Sequence, residues 1–441
     1  LIGSSQEQDI MRRALDFVVI VISLVASAAD WPRFRGPSGV ATSDETGLPV
    51  TWSDTENVAW KIELPGPGTS SPIVEGDRIY LTCYSGYGLD AEEPGDRDKL
   101  VRHVVCLDRS GGGAVSGGGI VWTKDFQAAQ PESEYSGGNN TWHGYASSTP
   151  VVRGNCLYVF FGRSGVYCLD ASDGRELWHA DVGEKTAGWG SANSLALFEN
   201  VLIVNSSIES TTIRGLDAGT GKQLWVIDDV KGARNTPILV DLPSGETEMV
   251  YSHPGDPEGS IVGCDPRTGK ELWRCRGIPD TYCCPSPVAN NGIVYVIGGR
   301  KNTALAVRAG GRGDVTETHQ LWRTNKGANV ASPAYWKGHL YWVHERKGTV
   351  FCLDATNGEL VYEERLEPRP GIVYSSVTIA DDKIYAVSQH NGTFVMAASP
   401  KFALLAHNVF ADDDSRSNAC LAVSRGQLLL RNDRRLYCIG K

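Results

Sequence analysis

The feature that most constrains this chain is a ten-residue frame, Leu-Asp-x-x-x-Gly-x-x-Leu-Trp, that returns at intervals. It runs from Leu169 to Trp178, from Leu216 to Trp225 and from Cys264 to Trp273, then from Leu353 to Tyr362 with Tyr in last place. Leu107, Asp108 and Trp122 form the same unit around a Gly-rich insertion. The chemistry of the frame is that of a hairpin. Asp bonds the backbone of its own turn, and Gly supplies the residue with positive φ. The aromatic residue then falls on an outer strand, where its large area packs across to the next unit. Trp60, Trp122, Trp178, Trp225, Trp273 and Trp322 are the expected docking residues.

Shorter apolar runs precede the frames. Ser71-Pro-Ile-Val leads to Arg78-Ile-Tyr-Leu, Thr149-Pro-Val-Val to Cys156-Leu-Tyr-Val, and Ser286-Pro-Val to Ile293-Val-Tyr-Val. β-branched and aromatic runs between Gly, Asn or Asp turns are strands. Each unit is then four antiparallel strands, one propeller blade. Seven blades fall at 69–126, 144–182, 190–230, 234–277, 283–326, 330–366 and 374–410. Residues 417–441 hold only three strands, and a spare strand stands at 57–64 with its own Trp60. Pairing them predicts an all-β, eight-bladed β-propeller of four-stranded antiparallel blades, closed by the N-terminal strand against the C-terminal blade. That closure removes an exposed sheet edge. The competing count is seven blades with an appended ribbon.

Met11, Arg12 and Arg13 precede an apolar run from Ala14 to Val25 and a small-residue exit at Ala26-Ser27-Ala28. This is the order of a secretory leader. The run is too short to span about 30 Å of hydrocarbon comfortably. The expected layout is upstream residues plus leader at 1–29, an extended segment at 30–56 and one propeller over 57–441. The expected location is periplasmic or secreted, without a transmembrane anchor. A net charge of −10 opposes nucleic-acid binding, which needs a basic surface. Eleven Cys invite a disulfide reading in an exported chain. Yet Cys106, Cys168 and Cys352 share one Cys-Leu-Asp frame, and Cys438 occupies a similar place. They mark a recurring strand position where Cys serves as a small buried hydrophobe.

The Leu-Asp-x-x-Thr-Gly-Lys-x-Leu-Trp frame resembles the tryptophan-docking repeat of the pyrroloquinoline-quinone (PQQ)-like, quinoprotein alcohol dehydrogenase-like propellers, including the exported BamB-like branch. The segment from Trp31 to Gly39 resembles the start of such exported propellers. The resemblance covers about residues 52–441 and implies the propeller fold. For its dehydrogenase branch it also implies PQQ with calcium. This chain has compact blades where the dehydrogenases carry insertions, and it lacks the lipidated Cys of the assembly lipoprotein.

In a propeller, the loops leading into the innermost strands converge on one mouth of the channel with those joining the second and third strands. Such a mouth is the place to seek a site. Those positions carry Asn139, Trp142, His143, Tyr145, Trp189, Arg234, Asn235, Cys283, Cys284, Asn329 and Tyr374 in the first set, and Arg300, Glu345 and His390 in the second. Trp189 suits stacking on a planar ligand, and an aromatic channel plug is the competing reading. Basic groups outnumber acidic ones there, which suggests an anionic ligand. Cys283-Cys284 resembles the adjacent cysteines of PQQ dehydrogenases in residue type but not in position. A calcium–PQQ site needs a converging Glu, Asn and Asp, and no spacing forces Glu134, Asn139 and Glu345 together. There is no Gly-x-Ser-x-Gly, His-Glu-x-x-His or phosphate-binding loop. The expectation is a noncatalytic, monomeric binding or scaffold protein for a protein, peptide or glycan. The alternative is a PQQ- or metal-dependent oxidoreductase working at the mouth.

Overall fold

The apolar runs form eight sheets around a central channel. The computed structural model describes residues 30–109, 119–136, 140–191 and 193–440. The leader reading for 1–29 and the assignment of Asn139 lie outside these residues. Blade 1 runs outward through Ile73–Glu75, Arg78–Ser85, Val101–Asp108 and Ile120–Gln127. The innermost strands of blades 2 to 7 are Val151–Arg153, Ala196–Phe198, Ile238–Asp241, Val288–Asn290, Ala334–Trp336 and Thr378–Ala380. Blade 8 combines Ala422–Ser424, Gln427–Arg431 and Arg435–Ile439 with Val58–Glu63 as its outer strand. That strand lies antiparallel to the last, with Trp60 opposite Cys438. Glu63 reinforces the seam by accepting from Arg434 Nε at 3.0 Å and Arg435 Nε at 2.6 Å. The count is therefore eight, closed between the two ends of the ring. Among the described residues no helix is long and apolar enough to cross a membrane.

The core is a circle of seams between neighbouring blades. One seam joins Tyr80, Val104 and Phe126 of blade 1 to Leu157, Val159 and Leu169 of blade 2, and similar clusters follow around the ring. The repeated frame makes these seams. The indole N–H of Trp178 donates to the Ala218 carbonyl at 3.0 Å, and that of Trp322 to Ala355 at 3.0 Å. Trp122 and Trp225 make the same bond to Ala171 and Pro266. The ring also covers the turn glycine of the next blade. A Cβ on Gly221 would lie 2.6 Å from the Trp178 ring, and one on Gly269 would lie 2.6 Å from Trp225. These glycines serve twice, for positive φ and for the close approach.

The residue opposite each docking ring on the adjacent strand is small. It is Cys106 for Trp122, Cys168 for Trp178, Gly215 for Trp225, Ala306 for Trp322 and Cys352 for Tyr362. All eleven Cys are free thiols, and the recurring ones are space-fillers under an aromatic ring. Trp273 departs from the expected docking. Its indole donates to Glu248 of its own blade at 2.6 Å, and the same carboxylate oxygen accepts from Gly310 N–H of blade 5 at 3.0 Å. The indole's hydrogen bond across this seam thus runs through a carboxylate where the blade 5 turn is extended, while Trp273 itself packs with Val294, Val307 and Val315 in the seam. Gly313–Asp314 of that turn lies parallel to the outer strand of blade 4.

The segment expected only to be extended at 30–56 crosses the ring. Trp31 bridges Val74 of blade 1. The Pro32 carbonyl accepts from Val152 of blade 2, Arg35 reaches the Pro333 carbonyl of blade 6, and Thr42–Ser43 lies parallel to the innermost strand of blade 7. Leu48 and Trp52 are buried at the closing seam. The channel is thereby covered on one side.

Candidate functional site

Two residues before each innermost strand the chain builds a closed belt. The Ser71 N–H donates to Thr149 Oγ1 at 2.9 Å, Thr149 N–H to Ser194 Oγ at 3.1 Å, and Ser194 N–H to Thr236 Oγ1 at 3.0 Å. Thr236 donates to Ser286 at 3.0 Å, Ser286 to Ser332 at 2.9 Å, and Ser332 to Ser376 at 2.9 Å. Ser376 then donates to Cys420 Sγ at 3.3 Å, and Cys420 N–H returns to Ser71 Oγ at 3.1 Å. Each blade contributes one member. The recurring Ser/Thr-Pro at the strand starts was the sequence signal, and it reads locally as a strand boundary. Only ring closure brings the side chain of one blade to the backbone of another.

All eight belt side chains line a cavity of ≈ 630 Å³ at the channel mouth, and Phe34 of the crossing segment reaches it. Its walls carry Trp189, His143, Tyr282 and Tyr374. Trp189 lies nearly parallel to His143, with centroids 6.2 Å apart at 16°. The His143 Nδ1 meets Ser147 Oγ at 2.9 Å. Burial, helped by the Arg416 charge, brings the imidazole down to about 4. The Ser147–His143 contact thus pairs a hydroxyl with a ring too weakly basic to serve as a good general base near neutral pH.

Three cations face the cavity, Arg234, Arg300 and Arg346, against one carboxylate, Glu345. The Arg234 and Arg300 guanidiniums lie 5.9 and 5.5 Å from the centre of one ring, that of Tyr282. Asp280 fixes Arg300 by accepting its backbone N–H at 2.8 Å. The Arg234 guanidinium has no hydrogen bond or ion pair among the described residues. Glu345 Oε2 accepts the Asn329 N–H at 3.1 Å, Asn329 Nδ2 donates to the Tyr282 hydroxyl at 3.1 Å, and Asn329 Oδ1 is buried without a partner.

The structure thus gathers His143, Trp189, Arg234, Cys284, Arg300, Asn329, Glu345 and Tyr374 at one cavity. Five other expected mouth residues lie elsewhere. Trp142 stands edge-on to Tyr374 at 6.0 Å, outside the cavity wall, and its carbonyl accepts from Asn418. Tyr145 is buried among Tyr84, Tyr87 and Tyr135, its hydroxyl donating to Ser133. Asn235 is fully buried and spans Ser252, donating to its carbonyl at 2.8 Å and accepting its N–H at 3.1 Å. His390 is exposed near the seam of blades 7 and 8, beside the Asp414 carbonyl. Cys283 is buried with its Sγ toward the Ile297 carbonyl at 3.7 Å. Neighbouring residues of an extended chain point to opposite sides, so the Cys283 and Cys284 thiols part, and only Cys284 faces the cavity. Burial keeps both protonated, with Cys284 pushed up to about 11.

A calcium–quinone centre does not fit these residues. Calcium takes six to eight oxygen ligands, and the cavity wall offers one carboxylate, already bonded, and one free amide oxygen. No group of three or more His, Cys, Asp or Glu able to hold a metal ion occurs among the described residues. Cys283 and Cys284 are separate free thiols.

Fold and repeat together define a PQQ-like eight-bladed propeller. The chain belongs to the family described as outer membrane protein assembly factor BamB, whose model matches residues 102–319 and 312–437. It is 27% identical over 220 residues to the quinohemoprotein alcohol dehydrogenase ADH-IIG of Pseudomonas putida, covering 46% of this chain and 30% of the relative. It is 28% identical over 108 residues to BamB of Salmonella typhimurium, covering 24% of this chain and 27% of the relative. The matched stretches are thus less than a third of either relative's length. The quinohemoprotein alcohol dehydrogenase structure from Comamonas testosteroni superposes with a TM-score of 0.61 at 12% identity, over 93% of this chain and 80% of that one. At that identity the likeness speaks for the fold.

Proposed function

We propose that this chain is a noncatalytic binding module, periplasmic or secreted, that receives part of a protein, peptide or glycan in the channel mouth. The observation that carries this reading is the character of the cavity wall. Aromatic faces and hydrogen-bonding side chains converge on it, with at least one lining residue from each of the eight blades, held by the closed belt. Opposite them stand one committed carboxylate and a weakly basic imidazole. Such walls orient a ligand, and they offer poor means of activating one. The concave shape favours a chain-like ligand over a folded surface. A role in assembly, as the relatives' name states for them, is compatible with a rigid ring presenting such a mouth.

The test uses the whole chain. Peptide and glycan arrays should give ligands whose binding falls at least about tenfold on Trp189→Ala, in keeping with loss of a central aromatic contact. Incubation with PQQ and calcium should give no dye-linked oxidation of alcohols or sugars. Turnover that disappears on Trp189→Ala or Cys284→Ser would overturn the reading in favour of an oxidoreductase.

A further inference from the structure

We infer that the ligand of the mouth cavity is an acidic sugar chain, a short oligosaccharide carrying carboxylates. This inference rests on the binding-module reading above and adds the ligand's chemistry to it. It comes from a census of donors, charges and faces.

The belt has hydrogen-bonding capacity to spare. Each of the seven belt hydroxyls accepts a backbone N–H; those of Ser71 and Ser376 also bond the Cys420 thiol, and the other five donate to no group among the described residues. A hydroxyl carries one proton to give as well as lone pairs to receive. Five O–H groups, those of Thr149, Ser194, Thr236, Ser286 and Ser332, therefore remain available around the cavity floor. The carboxylate and amide acceptors facing them are few, chiefly Glu345 and Asn329 Oδ1, which is without a partner among the described residues. An extended peptide brings N–H donors and carbonyl acceptors at fixed alternate positions, whereas each belt hydroxyl is best matched by a group that can both give and receive. A sugar acid is rich in acceptor oxygens and meets the belt directly.

The charge also points to an anion. Arg234 and Arg300 crowd one Tyr282 ring, with Arg346 at the rim, in a chain whose net charge is −10. Arg300 has a counter-ion in Asp280 at 3.9 Å, whereas Arg234 has none among the described residues, and an incoming carboxylate would supply it through charge-assisted bonds. A further cation lies near the floor. Arg35 is 1% exposed, its Nε and Nη1 have no partner, and it lies close to Cys420, a belt member. It adds to the positive field felt at the axis.

The aromatic faces suit sugar rings. Trp189 is 39% exposed and lies nearly parallel to the His143 ring, with centroids 6.2 Å apart. Its open face is a rigid amphipathic platform. The volume of ≈ 630 Å³ lies within the range of small-molecule sites and admits about two or three sugar rings.

Calorimetric titration of the full chain with three probes tests the inference: trigalacturonate, neutral maltotriose and a triglutamate peptide. The expected result is binding of trigalacturonate, at least about tenfold weaker binding of maltotriose, and none of triglutamate. Arg234→Gln should abolish the preference for the acidic sugar while leaving the urea midpoint unchanged. Arg234→Lys should retain part of the preference. Raised salt should weaken trigalacturonate and spare maltotriose. Equal binding of the two sugars overturns the charge assignment but leaves the binding-module reading standing. Tighter binding of triglutamate overturns the sugar assignment. Silence of all three probes overturns the inference as a whole, whereas the binding-module reading falls separately, on quinone-dependent turnover.

Discussion

Glu209 is a fully buried carboxyl on a blade 3 hairpin, with Ser191 donating to its Oε1 and its Oε2 unpartnered. Burial pushes it up to about 7 from an ordinary 4.5, against the pull of the Ser191 bond. Between those values the folded protein keeps a proton that the unfolded chain has released, so this group's contribution to stability falls as pH rises through the window and levels off above it. His143 acts in the opposite sense. Its folded value near 4 lies below the ordinary 6.5, so its contribution is lost as pH falls through that interval. Comparison with Glu209→Gln isolates the carboxyl. The variant should gain on the wild type by up to about 3 kcal/mol between about pH 4 and about pH 8, read from urea unfolding at each pH. A difference that stays flat across this range would show that Glu209 titrates normally. Ser191 lies two residues beyond Trp189, so the buried carboxyl also anchors the loop that presents the aromatic platform.

At the scale of elements, the blade is held to its neighbours by two devices at opposite ends of each sheet. In blades 1, 2, 3 and 5 the outer strand docks its Trp on the glycine turn of the next blade. The residue two before the innermost strand passes a backbone N–H to the next blade's hydroxyl. The second device makes a sharp prediction. Ser332→Ala removes the acceptor of the buried Ser286 N–H, and an unsatisfied buried donor costs about 1–3 kcal/mol. The urea midpoint should fall accordingly with an unchanged slope. Cys420→Ser should lose nothing, because it replaces a weak sulfur acceptor at 3.3 Å with the hydroxyl used by the other seven blades. Loss of stability in that variant would show that the thiol has a role beyond the belt.

For the whole molecule, closure of the ring is the decisive contact. Deleting residues 52–64 removes the outer strand of blade 8 together with Trp52 and Trp60 of its seam. The deletion exposes the edge of Arg435–Ile439. The truncated chain should aggregate or lose its single cooperative transition in calorimetry, with size-exclusion chromatography reporting the association. Normal cooperative unfolding would mean that the ring is stable without its closing strand.

The sequence by itself determined the blade, the blade count and the docking rings, because each of these is a local pattern repeated. A turn Asp, a turn Gly and an aromatic at fixed spacing meet within one hairpin or with the next copy of it. Even the Cys positions were legible, since a small residue must face each docking ring. The tertiary structure alone decided the site. Nothing periodic marks residues 30–43 as the segment that crosses the channel, and the extended insertion that diverts Trp273 to Glu248 has no repeat signature. The alternation of an extended strand separates Cys283 from Cys284, and burial withdraws Tyr145 and Asn235 from a mouth to which their loops do lead. The belt shows the division most clearly. Its Ser and Thr residues are visible in sequence one by one, but each bond joins positions 42 to 78 residues apart, and the last joins positions 349 apart. Only a closed ring brings those ends within hydrogen-bonding reach.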